Sequence, residues 1–535
     1  MLKSPSIRAV VLSCVIATTC PSLPLIAEGT FTWSETTELS DPIGFAGPYV
    51  GVVGKSLVVA GGANFPGGRP WDDHPKIWHN RIFVLARPKG SWVELKITLP
   101  APLAYGVSVT WKPEGGQPQL ICVGGGDSAS HSTAAFAILR QGETWVVRNL
   151  PSLPRPAAFL SGALIGDTVY VAGGIETPQA TTALKQFLSL DLSKPEAERH
   201  WVELKPWDGP ARMLPVAASQ SDAFFLFSGA ELSPGPDGKA KRRFLKDAHR
   251  YDPGKGWRKI PDVPRPIVAA PSPAPAVGES QILVLPGDDG EFFGQDLKDA
   301  HQGFPSNIQA YDTVTERWFD AGEFPKDLGP DPANDPHAGK WPVVTTGTTT
   351  WNDQIVVASG EARPGVRSRR VWLGASPEVV GTLSTLDYVC LASYFIVLIA
   401  MGIYFSRREK STEDFFLGGR RIPWWAAALS IFGTQLSAIT FMAIPAKAYR
   451  TDWIFIVHNM MIVISAPIVA YVYLPFFRRL NLTTAYEYLE RRFDYRVRCL
   501  GSLSFCLFQL GRMGIVLYLP SLALATVTGI DVYVC

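Results

Sequence analysis

Four separated apolar stretches of roughly twenty residues each fall within the last 150 or so positions, after about 380 residues that contain no spanning segment. A chain patterned this way must fold as two bodies in series. Its front has to bury a core in water, and its back has to satisfy its backbone inside a bilayer.

The first residues indicate the compartment. Lys3 and Arg8 precede an apolar run from Ala9 to Ala17, and small residues around Ile26 and Ala27 offer a cleavage site. This layout predicts a secretory signal over 1–27 and a front domain outside the cytoplasm. Between that signal and the first span only Cys122 remains, so no disulfide can form within the front domain, which must be held by burial. A formal charge of +2 is too small to imply a polyanionic partner, and no basic stripe with interleaved aromatics is present, which sets nucleic acid aside. The eight histidines stand singly and offer no metal-ligand spacing.

The front is repetitive. Strand-like runs ending in glycine recur six times: 57–62, 120–125, 169–174, 224–229, 282–287 and 355–360. The first five are each followed by a tryptophan (Trp92, Trp145, Trp201, Trp257, Trp318) and a proline-containing turn. This pattern predicts small sheets arranged radially as the blades of a propeller. The sixth unit lacks its trailing strand, and Phe31-Thr-Trp33-Ser-Glu near the start supplies one, so the N-terminal strand is expected to close the ring and remove its exposed edges. The longest excursions, 63–81, 231–249 and 288–307, begin at the same point of their units and should gather on one face. Asp127, Glu176, Glu231, Asp288 and Glu361 fall near the same turn, where an acid ordinarily bonds the turn backbone.

In the back part, spans are expected at about 384–405, 424–446, 453–477 and 500–528. Arg407, Arg408, Lys410, Arg420 and Arg421 lie between the first two. Arg478, Arg479, Arg491, Arg492, Arg496 and Arg498 lie between the last two. This excess marks the first and third connections as cytoplasmic and puts the front domain outside, in agreement with the signal. The second span is unusually polar, with Ser430, Gly433, Thr434, Gln435, Ser437 and Thr440. Such a pattern fits either helix packing or a broken helix that binds a cation. Arg512 lies deep in the fourth span, where an ionised group is costly unless it faces a cavity or a partner.

Two resemblances attach to these residues. The stretches Gly47-Pro-Tyr-Val-Gly-Val-Val, Gly61-Gly-Ala-Asn-Phe-Pro-Gly-Gly-Arg69, Ala104-Tyr-Gly-Val-Ser108 and Gly360-Glu-Ala-Arg-Pro-Gly-Val-Arg367 make 30–374 resemble the N-acetylneuraminate (sialic acid) epimerase group of kelch propellers. The resemblance implies an all-β six-bladed kelch β-propeller that interconverts sialic acid anomers without a cofactor or metal. It places Glu361 as the proton acceptor and Arg367 beside it, with Arg363, Arg69, Asn64 and Tyr105 as further sugar contacts.

From about 384 to 535, Tyr404-Phe-Ser-Arg-Arg-Glu-Lys-Ser-Thr-Glu-Asp-Phe-Phe-Leu-Gly-Gly-Arg420 and Phe432-Gly-Thr-Gln-Leu-Ser-Ala-Ile-Thr-Phe441 resemble the sodium/solute symporter family. That resemblance implies an all-α transmembrane domain with Na+ held by the carbonyls of Gly433 and Leu436. It implies substrate held by Gln435, Ser437, Thr440, Asn459 and Arg512. Four spans are only the opening of an inverted-repeat symporter fold, so the expectation is a piece of a longer fusion.

The expected whole is a multi-pass protein of a bacterial inner (plasma) membrane. Its periplasmic propeller equilibrates sialic acid anomers and, through a short linker (375–383), delivers one to a sodium-coupled symporter. The competing expectation is a propeller that only captures or senses a ligand, attached to a symporter of other specificity; both accept the same fold.

Overall fold

The protein is described by a computed structural model covering residues 31–278, 280–327 and 339–375 of the front part. Of the back part it covers 385–407, 418, 422–435, 437, 440, 444–450, 453–480, 482 and 484–528. The expected signal (1–27), linker residues 376–383 and Leu436 lie outside the described residues. The chain divides into two compact units, with the boundary between 378 and 379.

The front unit is a six-bladed β-propeller, each blade a four-stranded antiparallel sheet. Its first blade runs Tyr49–Val53, Ser56–Ala60, Ile82–Leu85 and Trp92–Glu94 from inner to outer edge. The sixth is built from both ends of the domain. Thr348–Trp351, Gln354–Ala358 and Val371–Ala375 are completed by Thr32–Glu35, with Thr32 opposite Ala375 and Glu35 opposite Trp372. The N-terminal strand is therefore the outer strand of the last blade and closes the ring by joining the two ends of the domain in one sheet.

Apolar clusters lie between neighbouring blades. Val107, Val109, Ile121 and Val123 of the second pack with Leu160, Val169 and Val171 of the third, all buried. The recurring tryptophans also join blades. Trp92, Trp201, Trp257 and Trp318 each donate their indole N–H to a backbone carbonyl, those of Thr37, Pro151, Lys205 and Pro261, at 2.8–2.9 Å. Each acceptor lies just after the outer strand of the preceding blade, so the repeat spacing of tryptophan is the spacing of an inter-blade hydrogen bond.

The glycine doublets act at the end of the second strand. Gly61 and Gly62 adopt φ of 65° and 92°, and Gly124 and Gly125 adopt 66° and 92°, a left-handed pair that turns the chain out of the sheet. Just beyond that turn an isolated bridge ties the chain back to the residues before the blade's first strand. The bridges are Ala46 to Ala63, Ala104 to Gly126, Met213 to Ala230, Val268 to Asp288 and Val344 to Glu361. Ala63, Gly126, Ala230, Asp288 and Glu361 are thus equivalent positions on one face. From three of them grow extra hairpins: Ala63–Asn64 with Ile77–Trp78, Ala230–Pro234 with Ala240–Phe244, and Glu361–Arg363 with Val366–Arg367.

The back unit is helical. Among the described residues three segments are long and apolar enough to cross a membrane: Tyr388–Ser406, Met460–Arg479 and Tyr495–Leu522. The stretch expected as the second span includes, among the described residues, a helix Trp424–Gln435 and a helix Ile444–Arg450, and its Ser437 between them is not helical. Its hydroxyls bond locally: Thr434 Oγ1 donates to the Ser430 carbonyl at 2.7 Å, and Ser437 Oγ accepts the Thr440 N–H at 3.4 Å. Side-chain bonds of this kind compete with the helical ladder.

Candidate active site

A cavity of about 520 Å³ opens among the loops on the face that carries the bridges. All three long excursions contribute to its wall, with Trp71 and Lys76 from the first, Arg242 from the second, and Asp288, Phe292, Lys298 and His301 from the third. Phe159, Leu214, Val268 and Phe304 give it an apolar side.

Glu361 and Arg367 face each other on the hairpin of the sixth blade, in direct register. Arg367 Nη1 donates to Glu361 Oε1 at 2.7 Å, and the Gly365 N–H donates to the same oxygen at 2.9 Å. Burial alone would lower the Arg367 guanidinium, but the adjacent Glu361 carboxylate and Tyr105 hydroxyl together more than offset it and push it up. Arg367 Nε donates to the Ala63 carbonyl at 3.2 Å, and its guanidinium lies over the Phe65 ring. A carboxylate and a charged guanidinium are therefore preset at the cavity wall, with side-chain exposures of 19% and 3%.

Tyr105 stands on the same wall, stacked on Phe159 with centroids 4.6 Å apart, and burial pushes its phenol well up. Its hydroxyl accepts from Lys76 Nζ at 2.6 Å. Burial, helped by the Arg367 charge, brings the Lys76 ammonium down to about 8. Asp288 is raised, first by burial, while the N–H it accepts from Gly290 at 2.9 Å acts against the shift. His301 Nδ1 accepts the Gly303 N–H at 3.0 Å, and burial lowers its ring.

The one-residue pitch of a strand explains which acids reach the cavity. Asp288 and Glu361 occupy the bridge position, whereas Asp127 and Glu231 sit one residue later and point elsewhere. Asp127 caps the N–H groups of Ala129 and Ser130, and Glu231 pairs with Arg243 at 2.6 Å.

Three residues expected to contact sugar are outside the cavity lining. Asn64 is buried and donates to the Gly44 carbonyl at 3.0 Å, while its Oδ1 meets His79 Nε2 at 2.8 Å. Arg69 Nε binds Asp299 Oδ1 at 2.8 Å, and fully buried Arg363 donates to the Asp299 carbonyl at 2.8 Å while lying over Trp341. Arg69 thus ties the first excursion, and Arg363 the hairpin of the sixth blade, to Asp299 of the third excursion. Asn64→Ala should cost about 1–3 kcal/mol of stability, because buried partners lose their bonds, and should leave the KM for sugar unchanged. A thermal midpoint and a saturation curve check this, and a raised KM with normal stability would return Asn64 to the sugar site.

Lys76, Arg242 and His301 were not legible as site residues. Their only signal was membership of the long excursions. In the membrane part, Gly433 and Gln435 lie in the last turn of Trp424–Gln435, Asn459 lies on Ile454–Ile468, and Arg512 is inside Tyr495–Thr528. Ser437 Oγ and Thr440 Oγ1 are 3.4 Å apart.

Residues 150–380 match the family described as N-acetylneuraminate epimerase, and residues 415–535 match the sodium:solute symporter family. The chain joins a part similar to the first family to a part similar to the second. Over 143 residues it is 54% identical to the sodium/sialic acid symporter NanT of Aliivibrio fischeri, covering 27% of this chain and 28% of that protein. Over 146 residues it is 51% identical to the sodium/sialic acid symporter SiaT of Proteus mirabilis, covering 27% and 29%. The human sodium-coupled monocarboxylate transporter 1 is 37% identical over 161 residues, covering 30% and 26%. The chain thus spans between a quarter and a third of the length of these curated relatives.

Proposed function

We propose that the propeller binds a sialic acid in the loop-face cavity and interconverts its anomers, and that the membrane part belongs to a sodium-coupled uptake system for the same sugar. The observation that carries the reading is the Glu361–Arg367 pair on one hairpin at the wall of a cavity large enough for a monosaccharide. Anomer exchange through the open chain needs a base for the anomeric hydroxyl and an acid for the ring oxygen, and Glu361 is the base. A sialic acid is itself a carboxylate, and Arg367 or Arg242, both lining the cavity, can hold it. The match of 150–380 to the epimerase family supports this assignment.

For the membrane part, Gly433 lies in the last described turn of helix Trp424–Gln435, and Ser437 just beyond it is not helical. The negative end of a half-helix suits Na+, with Leu436 as the second carbonyl, while Gln435, Ser437, Thr440, Asn459 and Arg512 contact the sugar. The periplasm is the side for the propeller, on the strength of the arginine-rich first and third connections. In cells expressing the natural gene, Arg512→Ala should abolish sodium-driven sialic acid uptake at undiminished membrane insertion, because an intramembrane charge opposes partitioning. Uptake at the unmutated rate would remove Arg512 from the substrate site.

The enzymatic reading is tested with the full chain in detergent by saturation transfer between the anomeric forms of sialic acid at equilibrium. Exchange faster than in buffer supports it. Binding without faster exchange would make the propeller a capture module.

A further inference from the structure

Opening a hemiketal needs a proton for the departing ring oxygen, and Glu361 supplies only the base. The cavity wall carries few groups able to deliver one near neutral pH. Arg367 and Arg242 keep their protons as guanidinium groups. Tyr105 is raised by burial and accepts from Lys76, and Asp288 spends a carboxylate oxygen as the acceptor of the Gly290 N–H at 2.9 Å. His301 spends Nδ1 as an acceptor from Gly303 and is lowered, so its ring stays neutral.

Lys76 remains. Its ammonium lies 4.5 Å from the Tyr105 ring centroid and 5.0 Å from that of Trp78, with one N–H on the Tyr105 hydroxyl at 2.6 Å. It directly precedes the strand Ile77–Trp78, whose partner Ala63 accepts Arg367 Nε through its carbonyl. The hairpin bearing the base and the hairpin bearing the lysine are therefore tied by the bond from the Arg367 side chain to the Ala63 carbonyl, and both line one cavity.

We propose that Lys76, aimed by the Tyr105 hydroxyl, is the general acid that protonates the ring oxygen of the sugar while Glu361 deprotonates the anomeric hydroxyl. This inference rests on the anomer-exchange reading. In the forward step the bond between ring oxygen and anomeric carbon breaks, its electron pair taking the proton from Lys76 Nζ. The anomeric hydroxyl gives its proton to Glu361 and becomes the ketone of the open chain. After rotation about the bond next to the ketone, the ring hydroxyl attacks the other face and returns its proton to the neutral amine, and Glu361 reprotonates the new anomeric oxygen. Atoms and charge balance with no further reactant.

The groups of other elements that act on Lys76 are Tyr105, Arg367 and Glu361, and on its own loop Asp72, Asp73 and His74 precede it. The ammonium is the donor form, so activity should fall as pH rises through about 8, the value to which burial brings this group. The test is the anomer-exchange rate of the full solubilised chain between pH 6 and 9.5, with the buffer rate subtracted at each pH. Lys76→Met should lower kcat about 100-fold or more with KM within a few-fold of normal, and should abolish the alkaline fall. Lys76→Arg, which keeps the charge and checks folding, should bind sugar normally, stay slow and also lack that limb. Unchanged kcat in Lys76→Met, or a limb near pH 8 surviving in either variant, overturns the role of Lys76 alone. A wild-type chain with no exchange activity overturns the anomer-exchange reading and this inference with it.

Discussion

Glu361→Gln is expected to reduce sialic acid anomer exchange at least ~100-fold while leaving sugar binding within a few-fold of normal. The amide keeps an oxygen where the carboxylate now accepts Arg367 Nη1 and the Gly365 N–H, so the hairpin can hold its shape. What disappears is the proton acceptor. Isothermal calorimetry and magnetic-resonance exchange on the same preparation separate the two effects. A variant that exchanges anomers at the unmutated rate would remove Glu361 from catalysis. One that loses binding in step with exchange would make it a binding group.

The largest stability effect is expected where the ring closes. Trp372 is 1% exposed, lies in the strand between Gln354–Ala358 and Thr32–Glu35, and packs edge-on against Phe324 with centroids 5.3 Å apart. Trp372→Ala should cost about 3–5 kcal/mol, the range for emptying a large aromatic from a core that cannot collapse around the gap. The thermal midpoint of the solubilised chain, followed by near-ultraviolet dichroism, should fall by about 5–10 °C. A loss below about 1 kcal/mol would mean that the closing blade contributes little to the fold.

The propeller was legible because its signals are local and repeated. The glycine doublets fix a left-handed turn, and the tryptophans fix an inter-blade hydrogen bond, so each unit announces itself within some fifty residues. The closing strand was legible because Phe31-Thr-Trp33 has the same form as the strand missing from the sixth unit. The pairing of Glu361 with Arg367 matches a hairpin that a short string encodes.

The rest of the cavity depends on three-dimensional crossings that no local pattern carries. Lys76 reaches Tyr105 from a loop of another blade, and Arg242 reaches the cavity from a hairpin 119 residues before Glu361. The acids near the common turn read alike in sequence, yet a one-residue offset turns Asp127 and Glu231 to other partners and leaves Asp288 and Glu361 inside. Asn64, Arg69 and Arg363 fall in or next to the strings that carry the epimerase resemblance, and here each has a partner that orders the loops rather than lining the cavity. In the membrane part, hydropathy identified the apolar segments, while the polar residues of 424–446 left helix packing and a broken helix both open and gave no bounds for the helix Trp424–Gln435.

The most direct test is the time course of anomer conversion after sialic acid is released as a single anomer by a retaining sialidase in the presence of membranes bearing this chain. Proton magnetic resonance resolves the two forms at each time point. The account predicts that the released anomer decays to the equilibrium mixture many-fold faster than in membranes lacking the chain, with the excess rate lost in Glu361→Gln. Decay at the buffer rate, or equal acceleration by Glu361→Gln, would contradict it.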